Sequence, residues 1–238
     1  PSNPTLKIAD MTHVNKVCKD AGILFFVDNC FATPYLQRPA DFGADLVIHS
    51  ATKYIDGQGR VLGGAIVGKS DVVSICYDFI RRTGACLSPF NAWILSKSIE
   101  TLSMRMDRHC SNALSIAEYL SADERVHDVS YPFLQSHPQY DLAKIQMLKG
   151  GGLVGFEING GLEQGKRFLN ALKIHSLTAN LGDTRSIATH PASTTHSKLS
   201  QEEQLLMGIT TSYIRLSVGL EHVDDLIDDI DQALKIIS

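Results

Sequence analysis

No stretch of this 238-residue chain is apolar for the roughly 20 residues that a bilayer-spanning helix requires; the longest runs, Gly22 to Val27 and Leu62 to Val67, fall far short. A membrane anchor is not expected. There is no C-x-x-C pair, and the five cysteines (Cys18, Cys30, Cys76, Cys86, Cys110) form an odd set, which argues for free thiols in a reducing, cytoplasmic setting rather than a disulfide framework. The nine histidines contain no H-E-x-x-H and no paired Cys/His spacing, so no metal site is expected. A concentrated basic face is missing too: 22 Lys and Arg are interspersed with 26 Asp and Glu, for a net charge of -4, which argues against a nucleic-acid partner. The chain opens Pro1-Ser2-Asn3-Pro4, with neither an initiator methionine nor a signal peptide, and reads as a piece of a longer protein.

What is present is an ordinary globular composition, 44% hydrophobic and 20% charged, enough for one large domain or two modest ones. Asp10 can cap a helix with Val14, Val17, Cys18 and Ala21 on one face, stopped at Gly22. The continuous run Ile23 to Val27 predicts a strand buried on both faces, with Asp28 at its carboxyl end. Leu46 to Ile48 predicts a second strand, running into His49-Ser50-Ala51-Thr52-Lys53, and Ala65 to Val67 a third. Such a succession suggests a largely parallel, helix-flanked sheet. Ser88-Pro89 starts a long helical stretch running through Met104 to Leu120 that could join two domains. Further on, Leu153 to Ile158 and Tyr213 to Val218 read as strands, and Ser200-x-x-Glu203 as a capping box. A closing helix sets Leu226, Ile227, Ile230, Leu234 and Ile237 against a solvated acidic face of Asp224, Asp228 and Asp231.

If the first two strands run parallel in one sheet, Asp28 and Lys53 emerge at the same carboxyl edge, where open α/β sheets bind ligands. An amine and a carboxylate facing one crevice suit pyridoxal phosphate, which takes an amine at its aldehyde and an acid at its ring nitrogen. The hydroxyls of Ser50 and Thr52 could hydrogen-bond phosphate oxygens. Spacing alone also allows a plain loop with an exposed lysine. A rival reading comes from Gly63-x-x-x-x-Gly68-Lys69-Ser70, which satisfies the phosphate-loop pattern of a nucleotide triphosphatase. That loop must lie between a strand and a helix, whereas Ala65 to Val67 is itself strand-like.

The residues carry more than spacing. Val27-Asp28-Asn29, Thr33 to Pro39, Gly43 to Val47, His49 to Tyr54 and Gly63-Gly64, with His190-Pro191-Ala192 and Ile214 to Glu221 at the far end, resemble the Cys/Met-metabolism family of pyridoxal-phosphate enzymes along nearly the whole chain. The resemblance implies fold type I, the aspartate-aminotransferase-like α/β fold. Residues 1–104 would form the carboxyl-terminal part of its large, mostly parallel-sheet domain, and residues 105–238 the smaller carboxyl-terminal domain. It implies pyridoxal 5'-phosphate held by Lys53 as a Schiff base, with Lys53 also moving protons at the substrate. Asp28 would pair with the ring nitrogen, Ser50 and Thr52 with the phosphate, and Asn3 would lie near the phenolic oxygen. Arg215 would clamp the substrate carboxylate, a bidentate task suited to guanidinium, with Asn180 and Leu181 beside it.

Within the family, Asp56 to Gly64, Leu87 to Trp93, Ser136 to Gln139 and Ala179 to Thr184 are most similar to O-succinylhomoserine or O-acetylhomoserine sulfhydrylases. The succinyl type is the first choice, on Gln58 to Val61 and Ser136 to Gln139. The expected reaction is γ-replacement of the acyl group by sulfide to give homocysteine in methionine biosynthesis. Cystathionine γ-synthase and methionine γ-lyase are the family alternatives. The resemblance further implies a homotetramer built from dimers that share active sites. Since family members are longer, the part upstream of Pro1 is expected to hold a phosphate loop, a ring-stacking aromatic and intersubunit arms. The 238 residues alone are expected to bind cofactor poorly.

Overall fold

Three helix starts follow directly from side-chain chemistry. Asp10 accepts from His13 N, Ser88 from Asn91 N, and Ser200 from Glu203 N while Glu203 bonds back to Ser200 N, so each oxygen satisfies a donor that the first turn leaves open. A computed structural model describes residues 1–237. Helices are α1 Met11–Ala21, α2 Thr33–Leu36, α3 Ser70–Thr83, α4 Pro89–Ile99, α5 Leu102–Ser121, α6 Tyr140–Gln146, α7 Leu162–Ala171, α8 Gln201–Leu206 and α9 Val223–Ile237. Strands are β1 Phe26–Asp28, β2 Leu46–Ser50, β3 Gly64–Gly68, β4 Val126–Ser130, β5 Leu153–Ile158, β6 Ser176–Leu177, β7 Ile187–Thr189 and β8 Tyr213–Ser217.

The first sheet has the order β1-β2-β3. β1 and β2 are parallel, with Phe26 opposite Leu46 and Asp28 opposite Ile48. That pairing is what puts Asp28 at the edge where β2 runs out at Ser50. β3 departs from the parallel pattern and returns antiparallel to β2, because a single helical turn at Ala51–Ile55 and a glycine-broken loop reverse the chain. Gly64 to Gly68 are therefore extended in strand β3, with Lys69 and Ser70 starting α3 directly after it, and no loop is left to wrap a triphosphate.

Burial differs from the expectation for β1. Ile23, Leu24 and Phe26 are exposed, whereas Phe25 is buried with Met11, Ala44 and Val47. The strand is shorter than the run, and among the described residues only the side that Phe25 faces is covered, by Met11, Ala44 and Val47. Val17 and Ala21 of α1 are likewise exposed, while Val14 and Cys18 pack on the small cluster. The long helix expected from Ser88 to Leu120 is two helices, α4 and α5, broken at Glu100-Thr101.

The second sheet, order β4-β5-β8-β7-β6, is antiparallel except for β6 and β7. Its core gathers Ala113, Ile116 and Leu120 of α5, Val154 and Phe156 of β5, Ile214 and Leu216 of β8, and Leu226, Ile230 and Leu234 of α9. Apart from Ala113, each such side chain removed from water contributes on the order of 1.5–3 kcal/mol. The polar face of α9 is more than solvated surface, for Asp231 pairs with Arg125 and Lys235. The neighbouring Asp229 is buried and accepts from the backbone N–H groups of Lys173, Ile174 and His175 and from the His175 ring. Burial opposes ionisation of Asp229, but His175 and those three amides hold its carboxyl well below the usual range.

A third cluster ties the amino-terminal segment to this half. Leu6, Ile8 and Leu36 pack with Tyr54, Met106, Met147, Leu153 and Leu181. Gln139 bonds both backbone groups of Ile8, and Gln146 reaches Met11 N and Ala9 O, so the segment carrying Asn3 is stitched down by side-chain amides.

Candidate active site

Lys53 sits in the single π-helical turn Ala51–Ile55 that follows β2, and its own backbone leaves helical geometry at φ -88°, ψ -130°. Its Nζ donates to Asn180 Oδ1 at 2.7 Å, a residue 127 positions away in sequence. Behind the turn lies Gly182, φ +76°, where a Cβ would come within 2.8 Å of Tyr54 N. Only glycine combines that left-handed conformation with so close an approach. Asp28, at the carboxyl end of parallel strand β1, accepts from Cys30 N and opens toward the same space.

A cavity of about 510 Å³ collects Asn3, Asp28, Ser50, Lys53, Leu181 and Arg215 in its walls, within the range of small-molecule sites. Arg215 is the most distinctive member. It projects from β8, is 1% exposed, and donates to Asn3 Oδ1 at 2.6 Å and to Asn180 O at 3.3 Å. Its Nε has no partner, and no carboxylate pairs with it among the described residues. Burial pulls its pKa down, opposed by Tyr54 and Tyr213, yet a guanidinium stays charged. A buried cation lacking an anion is costly, and its chemistry suits an anionic group such as a carboxylate.

Of the other expected residues, Thr52 is placed differently. The Thr52 hydroxyl is taken up locally, accepting from Gly63 N and donating to Gly63 O, and Thr52 is not in the cavity wall. Asn180 spends its side-chain oxygen on Lys53 and its backbone oxygen on Arg215. Cys30 does lie in the wall; burial, then Asp28, pushes its thiol pKa up, which favours the neutral form. His190 has both ring nitrogens engaged, by Ser193 Oγ and Thr211 O, as a structural histidine does. No cluster of metal-ligating side chains occurs among the described residues. Sequence reasoning missed Phe31 and Thr195 in the wall. Phe31 carried a signal, standing three residues past Asp28; Thr195 arrives from a distant loop with no spacing to reveal it.

These residues fit pyridoxal phosphate. A primary amine, a carboxylate and an unpaired buried guanidinium share one cavity, answering to an aldehyde, a ring nitrogen and a substrate carboxylate. Comparison with known proteins gives the same answer. Residues 1–235 match the family described as Cys/Met metabolism PLP-dependent enzyme. An L-methionine gamma-lyase from Pseudomonas putida is 48% identical over 241 residues, 99% of this chain and 60% of its own length. An O-succinylhomoserine sulfhydrylase from Pseudomonas aeruginosa is 45% identical over 234 residues, 98% of this chain and 58% of its own length. The crystal structure of cystathionine gamma synthase from Xanthomonas oryzae pv. oryzae in complex with cystathionine superposes with a TM-score of 0.96 at 38% identity, covering 100% of this chain and 62% of that one. The chain thus spans about 60% of the length of the relatives it matches, and its two-sheet α/β architecture is the fold type I arrangement of those enzymes. On this geometry and this match together, the chain belongs to the Cys/Met-metabolism family of pyridoxal-phosphate-dependent enzymes.

Proposed function

We propose that the protein is a sulfhydrylase that replaces the acyl group of an O-acylhomoserine, O-succinylhomoserine first, with sulfide. The products are homocysteine and the free carboxylic acid, a step in methionine biosynthesis. One observation carries the reading: the unpaired, buried Arg215 shares a cavity with Lys53 and Asp28, so an amino acid anchored by its carboxylate has its α carbon presented toward a basic amine. When bound, pyridoxal phosphate supplies the electron sink that accepts the pair left by the broken α C–H bond.

In this reading Lys53 holds the cofactor and, once released, moves protons at the α and β carbons of the substrate. Asn180 keeps the free amine on the cavity side by accepting from Nζ. Asp28 holds the ring nitrogen's proton, Ser50 and Thr52 serve the phosphate, and Asn3 the phenolic oxygen while also steadying Arg215. For Thr52 the phosphate role requires release of its hydroxyl from Gly63. Arg215 and Leu181 form the carboxylate end. Residues 1–104 act as part of the cofactor-binding domain and 105–238 as the small domain, in a cytoplasmic homotetramer of dimers sharing active sites. Exposed Ile66, Val67, Phe79, Phe90 and Trp93 give such an assembly apolar surface to bury.

The sulfhydrylase choice draws on the stretches 56–64, 87–93, 136–139 and 179–184 and on the relative from P. aeruginosa. The 48% identical methionine gamma-lyase supports elimination as the second reading. Steady-state assays of the full-length protein with succinyl and acetyl esters, with and without sulfide, and with methionine separate the two. Sulfide-dependent homocysteine formation is expected; thiol release from methionine without ester turnover would move the assignment to the lyase.

Arg215→Leu is expected to raise KM for the amino acid by about 10²-fold, the loss of a bidentate charged contact worth roughly 2–3 kcal/mol, with a smaller change in kcat. An unchanged KM would place the carboxylate elsewhere.

A further inference from the structure

We propose that Arg105 is a positioning residue for Lys53, clamping the turn that presents the amine to the joint between α4 and α5. The inference rests on Lys53 being the cofactor-bearing amine. Arg105 lies on the first full turn of α5, outside the cavity, and is 7% exposed. Its guanidinium donates from Nη1 to Tyr54 O at 2.6 Å and from Nη2 to Ile55 O at 3.2 Å, the two carbonyls that directly follow Lys53. Nη2 also donates to Ser98 O at 2.9 Å, and Nε to Thr101 Oγ1 at 3.2 Å. Four bonds from one planar fork therefore join three segments, and all four acceptors are neutral.

Two further features are built around that fork. First, at the break at Glu100-Thr101 the Ser98 carbonyl, which in a continuous helix would accept from the N–H four residues on, accepts instead from Thr101 N, Thr101 Oγ1 and, at the shortest of the three distances, Arg105 Nη2. Second, Gly57 has φ +73°, and a Cβ there would overlap Arg105 Nη1. The chain after Lys53 is thus shaped to admit the guanidinium. Asp56 and Arg60 complete the clamp from below: Arg60 bonds the Asp56 carboxylate and Ser98 Oγ, and Asp56 is fully buried.

The physical consequence concerns Lys53 alone among the cavity residues. Its backbone departs from helical geometry inside a single π-helical turn, which has few hydrogen bonds of its own to hold it. With Tyr54 O and Ile55 O fixed from outside, the direction of the Lys53 side chain is set by α5. A lysine at 105 keeps the charge but cannot reach four acceptors in one plane.

The test uses full-length protein, as Arg105→Lys, the milder Thr101→Val, which removes the Nε anchor together with the hydroxyl's own bond to Ser98 O, and Arg125→Lys as a control ion-pair lesion elsewhere. Two readouts besides turnover report on Lys53: the pH midpoint of the visible band of the cofactor-loaded protein, and the rate at which Lys53 in cofactor-free protein is acylated by an amine reagent, followed by peptide mass spectrometry. Arg105→Lys is expected to shift the midpoint by about one pH unit and the acylation rate by about tenfold. Its kcat should fall at least tenfold with KM for the amino acid within twofold. Thr101→Val should move each in the same direction by less, and Arg125→Lys none of them. If Arg105→Lys does not fold, Thr101→Val decides alone. Unmoved midpoint and acylation rate in a folded variant, with only the melting temperature lowered, would leave Arg105 a structural residue and overturn the proposal. A wild-type protein with no visible band would instead refute the reading of Lys53 itself.

Discussion

Lys53→Ala is expected to bring turnover down by about 10⁴-fold, the upper end of what a positioned proton-transfer group contributes, and to abolish the visible absorbance that depends on a covalent link to the cofactor. Both losses follow from one atom. Nζ is the primary amine in the cavity wall, and its one hydrogen bond among the described residues, to Asn180 Oδ1, holds it there without neutralising it. Because the Lys53 side chain makes no other hydrogen bond among the described residues, the cofactor-free variant should fold as well as wild type, with a stability change within about 0.5 kcal/mol. Absorbance spectroscopy after cofactor loading, thermal unfolding without cofactor, and turnover measured on the same preparations check the three parts. A variant that retained full activity and the same absorbance would remove Lys53 from the chemistry. One that lost both only because it failed to fold would show it in the thermal measurement.

How much of this was legible in the sequence depends on the range of the interaction. Asp10, Ser88 and the Ser200/Glu203 pair could be read because a cap bonds a backbone group within three residues. The common edge of Asp28 and Lys53 could be read because parallel pairing of two short apolar runs fixes it. Exposure of Ile23, Leu24 and Phe26 could not, since hydrophobicity states what a strand prefers and not what covers it. Nor could the break at Glu100-Thr101, where both flanks are good helix formers and the interruption is held by Arg105 from a turn away. Asn180 was legible as a site position through resemblance, but its bond to Lys53 spans 127 residues and has no local signature. The same holds for Arg215, whose meaning lies less in its type than in being buried without an acidic partner.

Asp28→Asn separates binding from chemistry. The side chain stands at the end of β1, where its backbone is fixed by pairing with β2, and its one hydrogen bond among the described residues is from Cys30 N, to which an amide oxygen can still serve as acceptor. The substitution should therefore leave the strand, the cavity and cofactor retention intact. An amide, however, carries no charge, and a neutral group cannot hold a proton on a pyridine nitrogen against solvent. The electron sink weakens, and removal of the α proton by Lys53 slows. The expected loss is about 10²- to 10³-fold, the size found when one electrostatic stabiliser of developing charge is removed. Exchange of the substrate's α hydrogen for deuterium, followed by NMR, measures that step apart from acyl departure and sulfide attack. Slowed exchange at full cofactor content is the expected outcome. Exchange at the wild-type rate would show that the ring proton is held by something other than Asp28. Loss of cofactor at unchanged thermal stability would instead give Asp28 a binding role. The effect should also differ in kind from that of Arg215→Leu: Asp28→Asn lowers kcat and kcat/KM together because it removes an interaction made in the transition state, whereas the arginine acts on ground state and transition state alike.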